Sequence, residues 1–289
     1  MSPSPGRVAV VGLGLMGASL AMALDRRGVR VRGVEVDPAA RAFLAGRLPG
    51  VAVFPAVEAA ALEGAEVVVL AVPLAALAPV AAAVAVHLPP AAVVTDLTSV
   101  KAPALERMLE HLPARRVVGG HPMAGRTSAG PYASDPDLFH GRPWAVVAPK
   151  GAEASAAAAV RDLARLVGAR PVDLDAEGHD RAVAAVSHLP YLLSGALARA
   201  VAELGAGAPV EALVGPGLEG MLRLAAQPAW MDDVCAHNRA HLAPALAALE
   251  AALAPVQEAL AAADAGALRA LGEAGRRAHE RLLGRAQPS

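Results

Sequence analysis

The sequence predicts an α/β protein: an N-terminal doubly wound, mostly parallel sheet followed by an all-α C-terminal half. Three observations carry that prediction. A buried-strand pattern at Val8–Val11 runs into a glycine turn and an amphipathic helix start. Apolar strand candidates then alternate with helical segments as far as about residue 175, which is the pattern of a parallel sheet covered on both faces. From about Ala176 the strand signal vanishes and alanine- and leucine-rich helical segments take over. The expected division is therefore 1–175 for a dinucleotide-binding, Rossmann-type domain and 176–289 for a helical substrate and dimerisation domain.

Taking the elements in order, Gly12-Leu13-Gly14-Leu15-Met16-Gly17 is G-x-G-x-x-G placed between strand and helix. Gly12 serves the tight turn, Gly14 the close approach of a pyrophosphate, and Gly17 the packing of helix on strand. The amides of Leu13 to Met16 are expected to face the phosphates, helped by the positive end of the helix dipole. The next strand, Val29–Val34, ends at Glu35, about 20 residues past the glycines. A carboxylate there accepts from ribose hydroxyls and repels a 2′-phosphate, which favours NAD over NADP despite Arg41 nearby.

Helices are expected at Ala39–Leu48 and Ala56–Leu62, with a short strand Val51–Phe54 between them. A strand Val67–Val72 ends at Pro73, and a helix follows. Ala92–Asp96 is the next strand, and a helix runs from Ser99 to Leu112 with Ser99 or Thr98 as N-cap. Val117–Gly120 and Trp144–Ala148 are further strands, then a helix Ala152–Val167 and a last strand Pro171–Leu174. Beyond that point, helical segments are expected at Arg181–Leu204, Pro209–Ala225, Trp230–Ala252 and Pro255–Leu283, punctuated by Gly205–Gly207 and by prolines 209, 216 and 228. Helices this apolar bury a face against a partner, so a homodimer is expected.

Composition bounds the function. Apolar residues make up 55 % of the 289 and aromatics only 2 %, so the cores are built from Ala, Val and Leu. A net charge of −1 gives no electrostatic footprint for nucleic acid or an anionic membrane. The single cysteine, Cys235, forms no internal disulfide and fits a reducing, cytoplasmic compartment. Met1–Pro5 lacks the apolar core of a signal peptide. The apolar run Val67–Val86 contains Pro73 and Pro79 and reads as a buried strand and helix rather than a membrane span.

Ligands of open α/β sheets lie outside the carboxyl ends of the strands. Those ends carry Gly12–Gly17, Glu35, Pro73, Asp96–Ser99 and Gly119–Gly125, which gathers Ser99, Lys101 and His121. By position alone, Ser99 is a helix cap or a catalytic group, and His121 a loop residue or a proton acceptor. Lys101 reads as an exposed first-turn lysine in preference to a donor to substrate or cofactor. His179-Asp180 reads as a helix start in preference to a catalytic dyad. His237 and His241, spaced i, i+4, read as a solvated helix face rather than metal ligands, and no metal is expected. Trp230 and Met231 read as core or dimer contacts.

Four strings are more specific: G-L-G-L-M-G-A-S-L-A at 12–21, D-L-T-S-V-K at 96–101, G-G-H-P-M-A-G at 119–125 and S-H-L-P at 187–190. Together and in this order they resemble the prephenate/arogenate dehydrogenase family, over Val8 to about Asn238. The resemblance implies NAD-dependent oxidative decarboxylation of prephenate, or alternatively arogenate, on the way to tyrosine. It implies that His121 bonds the ring hydroxyl, that Ser99 orients that histidine, that His188 helps bind the substrate side chain, and that Arg223, in G-P-G-L-E-G-M-L-R-L-A at 215–225, holds a substrate carboxylate. The chain departs from the family pattern at Thr127, at Glu219-Gly220 and at Tyr191, and no C-terminal regulatory extension is expected. A β-hydroxyacid reductase is disfavoured, because no lysine occurs between Ala176 and Leu204. A non-catalytic dinucleotide sensor would have no use for Ser99, His121, His188 and Arg223 together.

Overall fold

The computed structural model describes residues 5–126, 128–205, 209–227 and 230–284. Met1–Ser4, Thr127, Gly207 and Pro228, which enter the sequence reading above, lie outside the described residues, as do residues 285–289.

The first half alternates as expected. Strand β1 (Arg7–Val11) leads into α1 (Leu15–Asp25), then β2 (Arg30–Val34), α2 (Pro38–Arg47), β3 (Ala52–Phe54), α3 (Ala59–Leu62) and β4 (Val67–Leu70). After a 3-10 turn at Leu74–Ala76 come α4 (Leu77–His87), β5 (Val93–Asp96), α5 (Ala102–Leu109) and β6 (Gly119–Pro122). A long loop precedes β7 (Pro143–Val147), α6 (Ala154–Leu166) and β8 (Arg170–Asp173). The first five strands form a parallel sheet in the order β3-β2-β1-β4-β5. A bridge from Val94 to Val117, with Val118 N donating to Val94 O at 3.0 Å, joins it to the three-stranded sheet β6-β7-β8.

Side chains of the central strands alternate between two apolar layers, as a period of two requires. Val8, Val10, Val67 and Val69 face Leu20 and Leu24 of α1, Leu44 of α2 and Val160 and Leu163 of α6. Ala9, Val11, Val68 and Leu70 face Leu62, Leu77, Val84, Leu105 and Met108 of α3, α4 and α5. Burying each such valine or leucine contributes roughly 1.5–3 kcal/mol, so this two-sided run explains why Val67–Leu70 is apolar throughout. Among the described residues no helix is long and apolar enough to cross a membrane.

One departure concerns direction. β7 runs antiparallel to β6 and parallel to β8, so the last two strands oppose the other six. Among its described residues, the loop between β6 and β7 carries only a 3-10 turn at Pro131–Ala133 and no crossover helix to return the chain in the same sense. Ser19 Oγ accepts from Asp135 N at 2.9 Å and fastens that loop to α1.

After Asp173 the described elements are helical: α7 (Ala176–Val183), a π turn Ala184–His188, α8 (Leu189–Leu204), a 3-10 turn Val210–Leu213, α9 (Pro216–Leu222), a 3-10 turn Arg223–Ala226, α10 (Trp230–His237), α11 (Arg239–Ala261) and α12 (Ala265–Gly284). The segment expected as one helix over Trp230–Ala252 is broken at Asn238, and Pro255 falls inside α11 rather than opening a helix. By compactness the chain divides into Met1–Arg239 and Ala240–Ser289. In the second unit α11 exposes Leu246, Leu253 and Leu260, a stripe with a seven-residue step.

Candidate active site

The glycine turn has the shape a dinucleotide needs. Gly12 has φ +91°, and a Cβ there would lie 2.6 Å from Ala71 O, so only glycine fits. A Cβ on Gly17 would run into the Gly12 carbonyl, which is how α1 comes so close to β1. A Cβ on Gly14 would meet nothing within 4 Å, so its Cα side opens onto free space. Gly14 also caps α1 without a side-chain bond, leaving the first-turn amides open to an anion. The exposed Pro73 follows β4 and opens the 3-10 turn beside it.

Glu35 alters one expectation. Its carboxylate accepts from Leu13 N and from Asp37 N, each at 2.9 Å. The Leu13 amide is therefore committed to Glu35 rather than to a phosphate, while the Leu13 side chain is fully buried. The two bonds fix the carboxylate at the carboxyl end of β2 with lone pairs to spare for ribose hydroxyls. The Arg41 guanidinium is turned onto the Glu35 and Val36 carbonyls, at 2.8 Å each.

A second group lies at the ends of β5 and β6. Lys101 is fully buried, contrary to its reading as an exposed first-turn lysine. Its Nζ donates to Asp96 Oδ2 at 2.5 Å, Gly120 O at 2.6 Å and Thr98 Oγ1 at 3.2 Å. Three acceptors satisfy all three N–H groups, and Asp96 Oδ1 in turn accepts from Gly120 N at 3.1 Å. Burial lowers the Lys101 pKa, and Asp96 opposes that shift. The cluster clamps the backbone immediately before His121.

His121, on β6, is 7 % exposed. Its Nδ1 lies 2.9 Å from His179 Nε2, and His179 Nδ1 lies 2.7 Å from Asp180 Oδ1. Asp180 completes the chain by accepting from Lys101 N at 2.7 Å and Ala102 N at 2.9 Å. It thereby caps α5 from 78 residues away, in place of the expected Ser99 or Thr98 cap. Burial pushes the Asp180 carboxyl up, but the bonds from His179, Lys101 N and Ala102 N outweigh it and hold the pKa below its ordinary value.

The direction of each bond follows from an ionised Asp180. A carboxylate only accepts, so His179 Nδ1 donates. With that single proton on the His179 ring, its Nε2 accepts, so His121 Nδ1 donates, and His121 Nε2 is left with a bare lone pair. Burial pushes the His121 pKa well below 6.5, and the titratable His179, Lys101 and His188 nearby add to the lowering, because each would repel a second positive charge. The imidazole is held neutral, as a proton acceptor.

The remaining candidates are placed unevenly. Ser99 is half-buried in the loop after β5, and among the described residues no hydrogen bond joins it to His121. The partner of His121 is His179, not Ser99. His188 is fully buried at the end of the π turn, and its Nδ1 lies 3.0 Å from Asn238 Nδ2. Arg223 is exposed on the turn after α9 and makes no ion pair among the described residues. Ser194 anchors that turn to α8, donating to Met221 O at 2.8 Å and accepting from Ala225 N at 2.9 Å. Tyr191 donates to Asp232 Oδ1 at 2.7 Å, a bond that raises its pKa to about 12.

Sequence reasoning weighed His179-Asp180 as a dyad but preferred a helix start, and gave Asn238 no role. His179 and Asp180 share the buried stripe of α7 with Val183, and two polar residues on an apolar face were the available signal. Asn238 carried no such signal, because its burial depends on the break between α10 and α11.

Known proteins resemble this chain over most of its length. The profile described as "Prephenate dehydrogenase, nucleotide-binding domain" matches residues 20–173, and "Prephenate dehydrogenase, dimerization domain" matches residues 175–272. The chain is 36 % identical over 203 residues to "Probable prephenate dehydrogenase NovF" of Streptomyces niveus, covering 69 % of this chain and 53 % of that protein. The chain thus spans about half the length of that relative. It is 30 % identical to the cyclohexadienyl dehydrogenase of Zymomonas mobilis, with 83 % of each chain covered. Synechocystis arogenate dehydrogenase superposes with a TM-score of 0.81 at 26 % identity, covering 96 % of this chain and 99 % of that one. The Aquifex aeolicus prephenate dehydrogenase solved with hydroxyphenyl propionate and NAD+ superposes with a TM-score of 0.85 at 24 % identity, over 97 % and 99 % of the two chains, a likeness of fold.

Proposed function

Because the chain belongs to the prephenate dehydrogenase family, we propose that it is an NAD-dependent dehydrogenase converting prephenate to 4-hydroxyphenylpyruvate. The observation that carries this reading is the bare Nε2 of a buried, neutral His121. NAD+, held at the glycine turn and Glu35, would supply the acceptor for the hydride of the carbinol carbon. His121 Nε2 takes the proton of the carbinol hydroxyl, within the range where a neutral imidazole works as a base. The ring carboxylate leaves as carbon dioxide, its C–C bonding pair completes the aromatic ring, and aromatisation makes the step downhill. The imidazolium formed at His121 faces His179 and, through it, the Asp180 carboxylate, which stabilises the charge until the proton returns to the phenolate oxygen that loss of carbon dioxide creates.

The other assignments belong to the same proposal. Gly12, Gly14, Leu15, Met16 and Gly17 hold the pyrophosphate, Glu35 the ribose, and Pro73 borders the cofactor. Leu13 supports Glu35 through its amide. Ser99 contacts the substrate hydroxyl, His188 the substrate side chain, and Arg223 a substrate carboxylate, where a guanidinium binds bidentately. Residues 1–175 form the dinucleotide half and 176–289 the substrate and dimerisation half. Two copies pair as a homodimer, for which the apolar stripe Leu246, Leu253 and Leu260 offers a face. A cytoplasmic setting suits the lone thiol, whose pKa burial raises to about 11.

Arogenate is the second reading. It is favoured by the likeness to Synechocystis arogenate dehydrogenase over 96 % of this chain. The test is to offer purified protein NAD+ with prephenate and, separately, with arogenate, and follow reduced nicotinamide. Turnover of prephenate supports the first reading and turnover of arogenate alone the second. No turnover of either contradicts both.

A further inference from the structure

We infer that Asn238 is a positioning residue that locks His188 as its Nε2–H tautomer, so that a buried, neutral N–H is presented to an oxygen of the substrate side chain. The inference rests on the proposed function for the identity of that oxygen, but the tautomer is argued from geometry alone.

The chain of reasoning starts at the Asp180 carbonyl, which can only accept. The Asn238 atom 2.7 Å from it is therefore the amide nitrogen, Nδ2. The same Nδ2 lies 3.0 Å from His188 Nδ1. An amide N–H can meet a ring nitrogen only if that nitrogen is bare, so the proton of neutral His188 sits on Nε2. That Nε2 is buried and, among the described residues, has no hydrogen-bond partner. Buried donors are rarely left unmet, and an unmet one marks a place for an acceptor that the free protein lacks.

Local structure explains why this arrangement holds. At 3.6 residues per turn, His188 would stand about 80° around the helix from Asp180. The intervening π turn, Ala184–His188, is wider and takes rotation back, bringing His188 towards the Asp180 side. Asn238 reaches both from the break between α10 and α11, where its own N–H is held by the Val234 and Cys235 carbonyls at 3.1 Å each. Asn238 is 2 % exposed, so water does not compete for its amide. Burial also lowers the His188 pKa to about 4, against the opposing pull of Asp180, so the ring stays neutral near pH 7. A neutral donor suits a keto or carboxylate oxygen and adds no charge beside His121.

The test uses the full chain labelled with 15N-histidine and a long-range 1H–15N correlation, with His188 identified by its loss in His188→Gln. The expected wild-type signal is the Nε2–H form, perturbed at Nε2 when 4-hydroxyphenylpyruvate is added. In Asn238→Asp the new carboxylate accepts from Nδ1, and the signal moves to a form protonated there. For that variant KM for the dienol rises by about tenfold or more, with kcat within about threefold and dinucleotide affinity unchanged. A merely structural tie would lower the melting temperature without that split. An Nδ1–H form in the wild type overturns the inference, as does a switched tautomer with unchanged KM. If Asn238→Asp fails to fold, the wild-type spectrum decides: Nε2 unmoved by the product overturns the role. A wild type in the Nε2–H form but inactive on both dienols overturns the functional reading while supporting the tautomer.

Discussion

Replacing Asp180 by asparagine separates what this residue does for the fold from what it does for His121. The carboxylate accepts from three donors, Lys101 N and His179 Nδ1 at 2.7 Å and Ala102 N at 2.9 Å. An amide offers one oxygen and one NH2, so either orientation turns at least one of those bonds into a meeting of two donors. A charge-assisted bond is worth about 1.5–3 kcal/mol and a carboxylate at a helix N-terminus about 0.3–1 kcal/mol. Asp180→Asn should therefore cost about 2–4 kcal/mol, a fall in Tm of about 5–15 °C for a chain of this size. The catalytic effect has a different origin. Without an ionised acceptor, His179 is free to turn its proton towards His121, which would place a proton where the base needs a lone pair. Loss of tautomer control costs up to about 10⁴ in a hydrolytic triad, and a loss of at least about 100-fold in kcat, about 2.7 kcal/mol, is expected here. Steady-state kinetics well below the variant's melting temperature, with KM followed in parallel, is the assay. A variant that loses thermal stability but keeps kcat within about threefold would refute the relay and leave Asp180 only its capping role.

Other outcomes follow from the same geometry. Gly17→Ala drives a Cβ into the Gly12 carbonyl and should abolish dinucleotide binding or unfold the turn, whereas Gly14→Ala, with open space around it, should fold normally and lose affinity for NAD+ in titration calorimetry. His121 and His188 are buried neutral with pKa values below the unfolded 6.5, so their contribution to stability is complete above pH 6.5 and is lost as pH falls through the folded values. Between pH 6.5 and about 4, His188 alone should give a slope of up to about 1.4 kcal/mol per pH unit in denaturant titrations, and a flat profile there would contradict its burial as the neutral form. Leu253→Arg on α11 should shift a dimer towards monomer in sedimentation, and an unchanged mass would place the interface elsewhere.

How much could be read without coordinates depends on the range over which each feature is specified. The order of strands and helices came from local signals: Val67–Leu70 is apolar because it is buried on both faces, and Gly12 is glycine because its φ is positive. The reversal of β7 was hidden, since it depends on what a loop does rather than on any strand's composition. Lys101 was misjudged for a similar reason. A lysine at the start of a helix is ordinarily solvated, and its burial depends on Asp96, Thr98 and Gly120, the last on a separate strand. His179 and Asp180 look like a helix start until Lys101 N and Ala102 N are seen to donate to the Asp180 carboxylate. Arg223 shows the opposite case, because its sequence context is specific and its exposed position in this structure adds nothing to it.

The most direct check on the central claim is the turnover of His121→Asn against wild type, with NAD+ and whichever dienol the wild type oxidises. Loss of the Nε2 lone pair should lower kcat by about 100-fold or more while KM hardly moves. Undiminished turnover in that variant would mean that the proton leaves by another route, and that the ordered chain from Asp180 to His121 serves only the fold.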